Sequence, residues 1–238
     1  MDQSKIVKRK DLFDVLQGIR KLHIATRDGD IHDIKSLVGA NASVNSREPS
    51  IETTPLHIAA VCDNHNVAEL LVHLGANVDA RNIGGDSSLH YAVRCERVGA
   101  VKFLANVKAD VNICNFDGDT PLHYAVKQEY IRINDIDVAT CIVQFLIGVK
   151  ANVTARNKRD ETPLHFAVRA RNFEFVKLLM EHGAIKYAHD IDNRTPIHYA
   201  QILAEKNIAD FLTNPPQSNE DVTPSLLNNV MKMLSINS

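Results

Sequence analysis

A short motif recurs along the chain at nearly constant spacing. It reads Thr-Pro-Leu-His or Thr-Pro-Ile-His at 54–57, 120–123, 162–165 and 195–198, with Ser-Ser-Leu-His at 87–90 as a weaker copy. The first residues of successive copies lie 33, 33, 42 and 33 residues apart. A period of this size is typical of stacked units that bury their apolar faces against each other. We therefore expect an elongated array rather than a globule with one central core.

Each copy of the motif marks the start of a helix. Threonine accepts a hydrogen bond from an unpaired backbone N–H, and proline fits the first helical position, where no donor is needed. Alanines follow, and a second apolar segment such as Val67–Leu71 ends near a glycine, as at Gly75 and Gly183. Glycine readily adopts the left-handed conformation that ends many helices. The pattern predicts one thin and one bulky helix in every unit.

These units resemble the ankyrin repeat, whose motif, paired leucines and Gly-Ala-Asp-Val-Asn ending are matched nearly in full. A degenerate first copy at Leu22-His23 brings the count to six. The resemblance implies an all-α solenoid of helix-turn-helix units with short β-hairpin fingers, in which fingers and first helices line a concave face. The expected boundaries are an N-terminal capping helix at 1–17, a repeat domain at 18–216 (repeats near 18–50, 51–83, 84–116, 117–158, 159–191 and 192–216), and a linker with a C-terminal capping helix at 217–238.

The two terminal segments have the apolar spacing of short helices. Asp11–Leu16 would pack Leu12, Phe13 and Leu16 onto the first repeat. Thr223–Leu234 either folds back over the last repeat or serves as a tethered helix that binds a partner. Because a solenoid must cover the apolar faces of its terminal units, we favour capping at both ends.

Composition narrows the functional class. The 27 basic and 29 acidic residues give a net charge of −2, so there is no global attraction to nucleic acid or to an acidic membrane. No apolar stretch is long enough to cross a bilayer, and no signal core follows the N-terminal charges. We expect a cytoplasmic protein, with a nuclear location as the alternative because of Lys8-Arg9-Lys10. The four cysteines are expected to be free thiols.

The histidines do not predict a metal site. Five of the eleven occupy one repeat position, so adjacent copies would lie about 10 Å apart. Metal ligands must lie about 2 Å from one ion, which this spacing excludes. No catalytic motif or phosphate-binding loop is present either. We expect no enzyme activity, catalytic residue, cofactor or metal, and we interpret each motif histidine as a tie between neighbouring backbones.

Candidate binding residues occupy variable positions around the motif. Basic residues stand four positions after the motif histidine and form a predicted basic column. Acidic residues stand one position before the threonine of the motif, and the predicted finger tips stand four positions before that threonine. These charges either pair with each other in solvent or receive an acidic partner segment, and apolar tips are typical anchors of protein interfaces. The column is Arg94, Lys127 and Arg169 with Arg81 beside it; the acids include Asp86, Asp119 and Glu161; the tips are Ile83, Phe116, Lys158 and Ile191.

The 42-residue interval adds nine residues between the helices of the fourth repeat. Long surface loops are tolerated because the entropy of loop closure grows only logarithmically with length. The insertion nevertheless contains Tyr130, Ile131 and Ile133, an apolar run that would pack on a neighbouring repeat or bind another chain. Both alternatives stay open at the level of sequence.

Taken together, these features indicate a non-enzymatic interaction scaffold that binds a partner protein through the concave face, as an adaptor or a masking inhibitor. The partner would offer an acidic or extended segment. The alternative is the recognition arm of a larger enzyme, channel or effector polypeptide. Nucleic-acid binding is disfavoured because Val61 interrupts the basic column, no membrane contact is expected, and we expect a monomer rather than a homo-oligomer.

Overall fold

The computed structural model describes residues 3–127 and 136–214. Within these ranges the chain forms a stack of helix pairs without a sheet, as the repeats predict, and none of its helices is long and apolar enough to span a bilayer. The helices are α1 (Gln3–Asp28), α2 (Ile31–Gly39), α3 (Pro55–Cys62), α4 (His65–His73), α5 (Ser88–Arg94), α6 (Val98–Asn106), α7 (Pro121–Ala125), α8 (Ile136–Gly148), α9 (Pro163–Arg169), α10 (Phe173–Glu181), α11 (Pro196–Ile202) and α12 (Lys206–Thr213).

The recurring motif caps the first helix of each repeat from α3 onward. The side chain of the threonine or serine accepts from the backbone N–H of the motif histidine, and the histidine Nδ1 accepts in return from the N–H of the cap residue. Two donors that a helix start leaves unpaired are thereby satisfied. The predicted helix starts are confirmed.

The core is a double row of buried aliphatic side chains, with one residue from each described helix except α11. Each of these residues loses nearly all its accessible surface, and burial of a leucine contributes about 1.5–3 kcal/mol. The first helices contribute Leu22, Leu56, Leu89, Leu122 and Leu164, and the second helices contribute Ile34, Leu71, Leu104, Leu146, Leu179 and Leu212. No single centre dominates, so stability is distributed between neighbouring repeats.

The second helices end in the left-handed region that the glycine positions predict. The backbone angle φ is +90° at Gly75 and +88° at Gly183. The equivalent positions in other repeats hold side-chain-bearing residues in the same conformation: Asn41 at +67°, Lys108 at +69° and Lys150 at +73°. The two lysines therefore carry backbone strain that glycine would not.

The separate capping helix expected at 1–17 is not a separate element. Helix α1 runs without a break from Gln3 to Asp28 and includes the first helix of the first repeat. Gly18 is the one weak helix former near the expected boundary, and its penalty of about 1 kcal/mol is too small to interrupt the helix. The side chains of Leu12 and Phe13 lie outside the described part of the chain, as do Tyr130, Ile131, Ile133 and the whole segment 217–238.

The fingers are tight turns, and the expected β-hairpins are not confirmed. In the described residues the one isolated bridge joins Arg81 and Ser87. In three of the fingers an asparagine side chain closes the turn: Oδ1 of Asn82 accepts from the backbone N–H groups of Gly84 and Asp86, both at 2.9 Å. Asn115 and Asn157 repeat this arrangement. The four cysteines are free, as expected.

Candidate functional site

The motif histidines join successive repeats. Nε2 of His57 donates to the backbone carbonyl of Asp86 at 3.0 Å, and Nε2 of His123 donates to that of Glu161 at 3.2 Å. Nδ1 of each ring accepts from the cap residue's N–H, which places the proton of the neutral ring on Nε2. Burial lowers the pKa of both histidines to about 4. These rings are neutral structural ties, as the sequence predicted.

Asp30, His32 and Asp33 form the one group in the described residues that is close enough to hold a metal ion. All three are exposed, and Asp30 already caps helix α2. None of them belongs to the recurring motif. The arrangement is that of an ordinary solvated helix start.

The predicted basic column stacks on aromatic rings of the first helices. The guanidinium carbon of Arg94 lies 4.2 Å from the ring centroid of Tyr91, and that of Arg169 lies 4.7 Å from the centroid of Phe166. Lys127 Nζ lies 5.9 Å from the same Phe166 ring. These distances fall within the range of cation–π attraction. The aromatic partners were missed from the sequence, although each stands one residue after a motif histidine.

Two cations of the column also pair with the acids that precede the motif. Arg94 lies 3.9 Å from Asp86, and Arg169 contacts Glu161, which is only 3% exposed. Both arginine side chains are about one-third exposed, so each pair sits at the edge of solvent. The column is therefore part of a charge network within the chain, and it still presents donors outward.

A cavity of about 520 Å³ opens where the fourth and fifth repeats meet. Its walls come from two fingers and from the first helices. It brings together five of the predicted residues: Asp119, Lys127, Lys158, Glu161 and Arg169. Phe166 forms part of the lining and was not predicted. Arg81, Ile83, Asp86, Arg94, Phe116 and Ile191 do not line it.

The predicted finger tips form a row of exposed side chains. Ile83, Phe116 and Ile191 are 59%, 53% and 57% exposed, and Lys158 is exposed as well. Neighbouring tips are joined by backbone hydrogen bonds, for example from Phe116 N–H to the Gly84 carbonyl at 3.0 Å and from Lys158 N–H to the Asp117 carbonyl at 2.8 Å. The row therefore has a fixed geometry.

Two further cavities lie against helix α1. They measure about 670 and 550 Å³ and are lined by residues near Val15–Ser46 and Leu16–Ile58. Their walls are more apolar than those of the cavity between repeats four and five. None of the candidate binding residues lines them.

Comparison with known proteins agrees with this architecture. The family model described as Ankyrin repeats (3 copies) matches residues 22–115, 84–138 and 134–224, which is most of the chain. Protein phosphatase 1 regulatory subunit 27 of Mus musculus is 38% identical over 80 residues, 33% of this chain and 51% of that protein. The Homo sapiens protein of the same name is 38% identical over 69 residues, 29% of this chain and 44% of that protein. The match therefore spans about half the length of these relatives. The repeats, their caps and the family match together show that the chain belongs to the ankyrin-repeat proteins.

Proposed function

We propose that this protein is an adaptor that binds a partner protein along its finger tips and its basic column. The observation that carries the proposal is the row of exposed apolar side chains on consecutive fingers, Ile51, Ile83 and Phe116, linked by backbone hydrogen bonds. Protein interfaces concentrate their binding energy in such anchors. Complete burial of a half-exposed isoleucine contributes about 1 kcal/mol.

The chemistry of the partner follows from what lies along this row. Successive tips are one repeat apart, about 10 Å, which equals about three residues of an extended chain. After three apolar tips the row continues with Lys158 and Arg159, both exposed. An extended segment with apolar residues three apart and an acidic residue beyond them fits this order. The partner's acidic group would sit beside cations, as the basic column also favours.

The names of the relatives suggest a regulatory role for the proposed adaptor. Both relatives are named as regulatory subunits of protein phosphatase 1, and we propose by analogy that this chain recruits or restrains a catalytic partner rather than acting on a substrate itself. It would do so as a cytoplasmic monomer. A rise in the partner's activity towards a chosen substrate would mark an adaptor, and a fall towards every substrate would mark a masking inhibitor.

Affinity capture from native cells, with the protein phosphatase 1 catalytic subunit as a defined candidate, tests the proposal. The double variant Ile83→Ala/Phe116→Ala should weaken capture of the partner at least tenfold. The charge variant Lys127→Glu should weaken it more at low salt than at high salt. A matched control is Lys102→Glu on helix α6, away from the finger tips.

Circular dichroism and thermal unfolding must first show that the variants are folded. A folded Ile83→Ala/Phe116→Ala variant that captures the partner as well as the wild type does would refute the proposed surface. The same holds if the helix α6 control weakens binding equally.

A further inference from the structure

A carboxylate–phenol hydrogen bond connects neighbouring parts of the array. The Tyr124 hydroxyl donates to Oδ1 of Asp86 at 2.9 Å, and Nδ2 of Asn115 donates to the same oxygen at 3.0 Å. Near the last finger, the Tyr199 hydroxyl donates to Oδ2 of Asp190 at 2.7 Å. Asp86 stands directly before a motif, whereas Asp190 stands five residues before one, at the position of Asn115. Of these two bonds, only that between Tyr124 and Asp86 joins the acid before one motif to the tyrosine of the next repeat.

The residue after the motif histidine is tyrosine in the third, fourth and sixth repeats, but it is Phe166 in the fifth and isoleucine in the first two. The Phe166 ring lies edge-on to His123 with centroids 5.4 Å apart, much as the Tyr124 ring lies 5.1 Å from His90. The ring position is thus kept and only the hydroxyl is missing. Asp119, which precedes its motif as Asp86 does, therefore has no phenol donor among the described residues.

Asp119 is left with one side-chain hydrogen bond among the described residues. Nδ2 of Asn157 donates to its Oδ1 at 2.8 Å. The residue is 7% exposed, and burial raises the pKa of its carboxyl above the usual value despite Asn157 and Lys127. A buried carboxylate with too few donors favours any new donor that can reach it.

The missing hydroxyl coincides with open space. Asp119 and Phe166 both line the cavity of about 520 Å³, which is within the size range of ligand pockets. The lining carries three carboxylates and four cations, so the charges nearly balance. Arg169 is already engaged by Glu161. An added carboxylate would face Asp119 and an added ammonium would face Lys127, whereas a neutral donor meets neither penalty.

We propose that this cavity receives a tyrosine side chain of the partner, whose hydroxyl donates to Asp119 in place of the phenol that Phe166 lacks. The inference rests on the proposed function, because it names one residue of the partner that the finger tips and the basic column would bind. The cavity would make binding specific. The protein would bind an extended acidic segment that places a tyrosine at the junction of repeats four and five more tightly than the same segment with phenylalanine there.

The first test uses a pair of probes that differ in one hydroxyl, N-acetyl-tyrosinamide and N-acetyl-phenylalaninamide. Titrations followed by NMR through the side-chain amide of Asn157 should show about tenfold tighter binding of the tyrosine probe. The variant Phe166→Tyr supplies the hydroxyl internally, so it should abolish this preference and lower the pKa of Asp119. Equal affinities of the two probes for the wild type would overturn the proposal.

The same variant separates this inference from the proposed function. Phe166→Tyr should unfold at a higher temperature than the wild type and yet bind the partner at least fivefold more weakly. The reciprocal variant Tyr124→Phe, which removes the donor from Asp86, should unfold at a lower temperature. If Ile83→Ala/Phe116→Ala loses the partner but Phe166→Tyr binds it normally, the tyrosine site is wrong and the interaction surface stands. If neither variant affects binding, both are wrong.

Discussion

Replacing His123 with alanine should destabilise the array far more than the same change at His198. The two residues occupy the same motif position, and both accept a hydrogen bond from their cap residue through Nδ1, at 3.1 and 3.2 Å. His123 is fully buried and also donates from Nε2 to the carbonyl of Glu161. His198 is exposed at the last described repeat. The difference between the variants therefore reports the link between repeats.

The magnitude follows from the groups that each change leaves without a partner. His123→Ala leaves the Thr120 N–H unpaired in the interior, at about 1–3 kcal/mol. It also removes one of the two donors to the Glu161 carbonyl, at about 0.5–1.5 kcal/mol, while the Asn157 N–H still donates to that oxygen at 3.0 Å. It also removes the edge-on contact with Phe166, at about 0.5–1.5 kcal/mol. We expect a loss of about 4 kcal/mol in the free energy of unfolding. His198→Ala strands one partly buried N–H, and we expect about 1 kcal/mol.

Urea unfolding followed by circular dichroism at pH 7.5 measures both losses. Because repeat arrays can unfold in more than one step, the denaturant slope of each variant should be compared with that of the wild type before free energies are extracted. Losses that agree within about 0.5 kcal/mol would refute the reasoning, since the inter-repeat bond would then contribute nothing measurable.

Three further outcomes are expected. The pKa values of His57 and His123 are about 4 in the folded protein and 6.5 in the unfolded chain. The stability that is present above pH 6.5 should therefore be lost as the pH falls towards 4, by about 3 kcal/mol per histidine. Urea midpoints that stay constant from pH 7.5 to 4.5 would contradict this. Gly85→Ala should lower the melting temperature more than Gly75→Ala. Both glycines have positive φ, but a Cβ at Gly85 would lie 2.5 Å from a backbone nitrogen of the next finger, whereas Gly75 faces open space. Equal melting temperatures of the two variants would exclude this close approach. Lys108→Gly should add about 1 kcal/mol to the free energy of unfolding by relieving its left-handed strain, as urea unfolding would show, and a loss would mean that the lysine is not strained.

The local parts of the fold could be predicted because each depends on residues near each other in sequence. A threonine or serine three residues before a histidine suffices to define a capping box. A fixed distance from that histidine likewise identified Gly75 and Gly183 as left-handed helix ends. The boundary between the N-terminal cap and the first repeat is harder to predict, because it depends on a small energy difference at Gly18, through which helix α1 continues.

The candidate site was harder to predict because it forms between repeats. Asp119 and Phe166 are 47 residues apart in the chain and line one cavity only through the stacking of the fourth and fifth units. The sequence selected Asp119 by its position before the motif but gave no reason to join it to Phe166. The sequence left pairing between the basic column and the acids before the motif open as one alternative, and the structure shows such a pair between Arg169 and Glu161.

Comparing equivalent positions of different repeats shows which junction differs from the others, which a single motif cannot show. In an array, each repeat contacts mainly its neighbours, so a substitution at one junction is neither transmitted to nor compensated by the others. The phenylalanine at Phe166 therefore affects only the junction that contains Asp119, while Asp86 has its two donors from Asn115 and Tyr124. A departure from the repeat that leaves a buried carboxylate short of a donor brings no gain to folding. A donor from a bound partner would supply the hydrogen bond that Asp119 lacks at this junction.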